Sequence, residues 1–158
     1  MFSFKTAFLT GLAAIAITTN AEIHVVHFVN NCGFGTPTLI QGGTVLSTGG
    51  DFISDGPLIA AIAYLQTGTC GSNGENCTLI ETSLINPRSP GSGSGSDISL
   101  IPPHSFSVAS GFWYFNGCEG SGADCTNPDC PTASHHPNDG LLQVVCEENN
   151  VNLNITFC

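Results

Sequence analysis

The stretch Asn152–Cys158, NLNITFC, decides how the rest of the chain is read. Leu153, Ile155 and Phe157 alternate with Asn152, Asn154 and Thr156, which is the period-two pattern of a strand with one buried face. The strand runs straight into Cys158, so a covalent partner for this end of the sheet is expected. Seven further cysteines are available: Cys32, Cys70, Cys77, Cys118, Cys125, Cys130 and Cys146. An even count in a secreted chain reads as four disulfides, although spacing alone chooses none of the many possible pairings.

Secretion is read from the first residues. Lys5 supplies a positive n-region, AFLTGLAAIAI is an apolar core too short to span a bilayer, and TTNA offers small residues before a cut. Cleavage is expected after Ala21, so residues 1–21 are the signal peptide and 22–158 form one domain, large enough to bury a core. No other segment is apolar enough to cross a membrane.

Working outward from the last strand, the chain breaks into short pieces. Nineteen glycines and nine prolines interrupt it, and no long stretch combines Ala, Leu, Glu and Lys at helical spacing. EIHVVHFVN, TPTLIQGG, PLIAAIAYLQ, TLIETSLI, DISLIPP, SFSVASGFWYF, LLQVVC and NLNITF read as strands, which points to an all-β sandwich or barrel. The alanines of PLIAAIAYLQ would also suit a helix. NPRSPGSGSGSD, residues 86–97, reads as a flexible surface loop. CEGSGADCTNPDCP is a second turn-rich stretch.

Charge narrows the partners. Once Lys5 leaves with the signal, Arg88 is the only Lys or Arg against twelve acids, a net charge of about −11 with His neutral. Nothing would then neutralise phosphates, so nucleic acid and anionic lipid are poor partners and neither is expected. A neutral, hydroxyl-rich ligand fits better. Salt bridges cannot carry this fold; burial and disulfides must.

Several stretches together resemble the thaumatin-like proteins, a secreted β-sandwich family. VVHFVNNC (25–32) is similar to the family's opening strand, and QGGTVLSTGGDF (41–52) to its Gly-Gly hairpin. CTLIETSLIN (77–86), DISLI (97–101), FNGCEGSGADC (115–125), VVC (144–146) and ITFC (155–158) follow in family order. The family's large disulfide-rich insertion, which would fall between Cys125 and about Leu141, is missing, so the chain resembles a small fungal-type member. The resemblance implies a thaumatin-like β-sandwich with the pairs Cys32–Cys158, Cys118–Cys146, Cys70–Cys77 and Cys125–Cys130.

It also implies a site. Glu81 and Asp97 stand where the family places acids of a carbohydrate-binding cleft, and some members bind or hydrolyse β-1,3-glucan there. Two carboxyls flanking a groove are the equipment of a glycosidase, one as acid and one as base or nucleophile. The family's Arg before the TGTC turn has no counterpart in AIAYLQ. Binding is therefore expected over catalysis, with a weak endo-β-1,3-glucanase as the enzymatic alternative and a structural or antifungal wall protein as the third reading. From the aromatic run GFWYF (111–115), Trp113 and Tyr114 are the expected sugar contacts, because aromatic faces stack on sugar rings.

Other residues have plainer readings. Cys125, Cys130, His135 and His136 have types and spacing that suggest zinc, but the oxidising compartment favours disulfides; no metal or cofactor is expected. His24 and His27 fall on opposite faces of a strand and read as strand residues. His104 reads as a loop residue near Asp97. Asn154-Ile155-Thr156 and Asn76-Cys77-Thr78 are N-glycosylation acceptors. The expected molecule is a secreted monomer of the cell wall or its surroundings, with β-glucan as its partner.

Overall fold

The computed structural model describes residues 21–139 and 142–158. The expected signal segment lies outside them except for Ala21. Twelve strands are present among the described residues and no helix. In chain order the first six are β1 (Ile23–Asn30), β2 (Thr36–Gln41), β3 (Thr44–Ser47), β4 (Phe52–Asp55), β5 (Leu58–Gln66) and β6 (Leu79–Leu84). The remaining six are β7 (Ser94–Ser99), β8 (Ser110–Phe115), β9 (Gly122–Cys125), β10 (Ala133–Ser134), β11 (Val144–Cys146) and β12 (Asn152–Phe157). They form two sheets packed as a sandwich. One has the order β4-β1-β12-β8-β9; the other runs β10-β7-β6-β5-β2-β3, with β11 also paired to β7.

The alternation of NLNITF sets the first sheet. Leu153, Ile155 and Phe157 are fully buried, and each such side chain contributes roughly 1.5–3 kcal/mol by leaving water. β12 lies between β1, which it pairs in parallel, and β8, which it pairs antiparallel. Val26 and Phe28 of β1 join the same inner layer, and Phe28 stacks on Phe157 with ring centroids 6.4 Å apart. From β8, Phe112 and Tyr114 point inward, set edge to face at 6.2 Å.

The second sheet answers this bulky layer with smaller residues. Ala61, Ala63 and Leu65 of β5, Leu39 of β2, Ile80 and Leu84 of β6 and Ile98 of β7 face the core. PLIAAIAYLQ is thus a strand despite its helix-forming alanines: Ala61 and Ala63 leave room for the facing aromatics. An irregularity between Leu58 and Ala61, with Ala60 at φ 52°, lets the strand enter the sheet.

The glycine–serine run differs from its sequence reading. Ser94, Gly95 and Ser96 are not flexible loop but the buried start of β7. Ser94 Oγ accepts the Ile85 N–H at 2.9 Å. A methyl group on Gly93, just before the strand, would come within 2.3 Å of the Cys146 backbone carbonyl. The residues are small because neighbours press on them, not because the chain must flex.

Four disulfides close the structure: Cys32–Cys158, Cys70–Cys77, Cys118–Cys146 and Cys125–Cys130. Cys32 and Cys158 lie just past the ends of β1 and β12, with Cα atoms 5.0 Å apart and a sequence separation of 126. The Cys70–Cys77 loop folds onto the outer face of the seven-stranded sheet. There Cys77 packs with Ile40, Tyr64 and Leu79 in a small second cluster.

Candidate functional site

Strand parity and register build the site. In β6, Ile80, Thr82 and Leu84 are buried, so Glu81 points outward and is exposed. In β7, Ser96 and Ile98 pair with Thr82 and Ile80, and Asp97 pairs with Glu81. The two acids therefore stand side by side on the outer face of the seven-stranded sheet. The row continues across the sheet, because Glu81 pairs with Ile62, Ile62 with Ile40, and Ile40 with Val45. Five side chains from five strands form one line, apolar at β3 and acidic at β7. At ~4.8 Å per strand the line is about 19 Å long.

Asp97 has a further peculiarity. β11 covers one edge of β7 up to Ser96, and β10 covers the same edge from Ile98 onward. Asp97 is the register position between them. It is half-buried, and its carboxyl is pushed up to about 6, first by that burial, then by the Glu81 charge, then by the hydrogen bond between the two carboxyls.

The strands that carry the pair are held from beneath. Thr82 Oγ1 and Ser96 Oγ are 2.7 Å apart in the core. The Tyr114 hydroxyl, reaching across from the other sheet, lies 3.0 Å from Ser96 Oγ and 2.9 Å from the Val144 carbonyl. That carbonyl can only accept, so Tyr114 donates to it and accepts from Ser96. Burial raises the Tyr114 hydroxyl to about 12, with the bond to Ser96 opposing the shift and the Asp97 charge adding to it.

Two expected sugar contacts are corrected by this geometry. Tyr114 is fully buried and cannot meet a ligand. Trp113 is exposed, but it lies on the outer face of the five-stranded sheet, on the opposite side of the sandwich from Glu81 and Asp97. Adjacent strand residues point to opposite faces, so the pair could never have served one surface. Where a groove was expected, the described residues enclose no cavity. The acids stand on an open sheet face.

The histidines and cysteines are accounted for by local contacts. His24 is buried, with Nδ1 2.6 Å from the Val151 carbonyl and Nε2 3.1 Å from Glu22. His27 faces outward and pairs with Asp51 at 2.5 Å. His104 contacts the Gly74 carbonyl at 2.9 Å and acts on Glu75; it is not among the groups that shift Asp97. His135 Nε2 lies 3.0 Å from the Cys130 carbonyl, and Cys125 and Cys130 are bonded to each other. Among the described residues no group of three or more His, Cys, Asp or Glu is placed to hold a metal ion.

Sequence reasoning missed the Thr82–Ser96–Tyr114 network. Its signal was present: Thr82 and Ser96 are hydroxyl residues at core parity, one position from each acid.

No protein-family model matches the chain, and no curated protein sequence matches it. Among solved structures, the protein elicitor MoHrip2 from Magnaporthe oryzae is similar, with a TM-score of 0.50 and 17% sequence identity. The likeness covers 87% of this chain and 99% of that one, and at this identity it concerns the fold alone.

Proposed function

We propose that this is a secreted, thaumatin-like protein that binds cell-wall carbohydrate, β-1,3-glucan in particular, on the outer face of its seven-stranded sheet. The polar centre of the surface is the pair Glu81 and Asp97. The observation that carries the reading is that the two acids are cross-strand partners on the outer face of the sheet. Two adjacent carboxyl groups, one of them able to keep its proton in mild acid, offer a donor and several acceptors to sugar hydroxyls. Ile62 and Val45, further along the row, offer apolar surface to sugar rings. The strongly acidic chain disfavours anionic polymers and leaves neutral glycans as ligands.

The same placement argues against catalysis. A retaining glycosidase separates its carboxyls by ~5–5.5 Å and an inverting one by ~6.5–9.5 Å, with the scissile bond between them. Glu81 and Asp97 are neighbours on one sheet face, and the described residues enclose no cavity that would seat a sugar between them. Sedimentation with insoluble β-1,3-glucan, chitin and cellulose tests the proposal. Retention on glucan that is lost in Glu81→Gln and Asp97→Asn supports it; retention on none of the three refutes it. Release of reducing ends from soluble glucan that disappears in both variants would restore the glucanase.

A further inference from the structure

The outer face of the five-stranded sheet presents a separate problem. Trp113 is the only tryptophan of the chain, and it is 36% exposed in the middle of a sheet. It has no part in the core and lies on the far side from the acid pair. On one side its cross-strand neighbour is Gly122, which has no side chain to cover the ring. On the other side its neighbour is Asn154.

Asn154 begins the acceptor triplet Asn154-Ile155-Thr156. Ile155 is fully buried, so Asn154 and Thr156 face outward with Trp113. Nearby asparagines spend their side chains on the protein: Asn150 Oδ1 accepts the Ile23 N–H at 3.1 Å, and Asn152 Oδ1 accepts the Val25 N–H at 2.8 Å. Asn154 has no such partner among the described residues. Its amide therefore has no protein hydrogen-bond partner among the described residues and lies one strand spacing, ~4.8 Å, from a partly exposed indole.

We propose that Asn154 carries an N-linked glycan whose first N-acetylglucosamine lies across the face of Trp113. In the transfer, the Asn154 side-chain nitrogen forms a bond to the anomeric carbon of a lipid-pyrophosphate-linked oligosaccharide. The bond from that carbon to the phosphate oxygen breaks, the lipid pyrophosphate leaves, and the amide loses one proton. Transfer precedes pairing of β12, because a strand set between β1 and β8 cannot enter a transferase. Once the sheet closes, the sugar covers the indole and excludes water from it.

The whole chain, secreted from a eukaryotic host that glycosylates, supplies the test, and Trp113 reports alone because no other tryptophan emits. Peptide mass is expected to show a glycan on Asn154. Trimming the glycan to one N-acetylglucosamine is expected to leave the emission maximum unchanged. Complete removal, by enzyme or by Thr156→Ala, is expected to shift emission to the red and to raise quenching by acrylamide about twofold. Thr156→Ser keeps the acceptor pattern and is expected to behave as the parent. The enzymatic arm stands even where a variant folds poorly. An unmodified Asn154 in the secreted protein overturns the proposal. So does a tryptophan signal indifferent to loss of the first sugar.

Discussion

Asp97 faces Glu81 across β7 and β6, and Asp97 holds the proton of the pair up to about pH 6. The arrangement lowers stability at neutral pH. Between the ordinary Asp value of 3.8 and the folded value near 6, the folded chain keeps a proton that the unfolded chain has lost. Stability from this group is therefore intact at low pH and falls as pH rises through the window. Asp97→Asn should remove that slope and stabilise the protein at pH 7 by roughly 1 kcal/mol, after allowing for solvent screening of a half-buried group. Denaturant titrations at pH 4, 6 and 8 measure it; parallel pH profiles for parent and variant would refute it.

Glucan binding follows the same proton. Below about pH 6 Asp97 keeps a proton that it can donate, and above it that donor is lost. Retention on β-1,3-glucan is expected to be stronger at pH 5 than at pH 8. Trp113→Ala, on the opposite face, should leave retention unchanged, whereas Glu81→Gln should reduce it about tenfold, the loss of one charged hydrogen bond. An inverted ranking of the two variants would move the site to the other sheet.

Tyr114→Phe removes the hydroxyl that joins the two sheets under the acid pair. The Val144 carbonyl then loses its donor, at a cost of about 1–2 kcal/mol. Ser96→Ala breaks the same network, so the double variant should cost less than the sum of the singles. A double-mutant cycle by chemical denaturation decides whether the hydroxyls act together.

The disulfides should differ in worth. In the chain-entropy account, Cys32–Cys158, which closes a separation of 126 residues, contributes ~5 kcal/mol. Cys125–Cys130, at a separation of 5, contributes ~2 kcal/mol. Replacing each pair with serines and comparing denaturation midpoints tests the order. Equal losses would show that strain or residual structure outweighs loop length.

The fold class and four disulfides were legible because alternation and cysteine parity are local signals. NLNITF revealed its buried face directly. The acid pair was legible only as two residues, since nothing in the sequence states that β6 and β7 pair with Glu81 opposite Asp97. Gly93–Ser96 was misread because small residues pressed by the Cys146 backbone and the Gln143 side chain look the same in sequence as small residues left free. Tyr114 was misplaced for a different reason. A run of aromatics does not say which member faces inward until the parity of its strand is set by a neighbour such as Ile155.

The position of β12 between β1 and β8 carries a consequence for biosynthesis. Until residues 152–157 have cleared the ribosome and entered the tunnel's far side, the five-stranded sheet has a vacancy at its middle, with Val26 and Phe112 lacking the neighbour that separates them. The earlier strands can be made, translocated and partly oxidised, but this half of the molecule is completed only once residues 152–157 are free to pair. A nascent chain stalled before Asn152 would remain a client of chaperones rather than a folded protein.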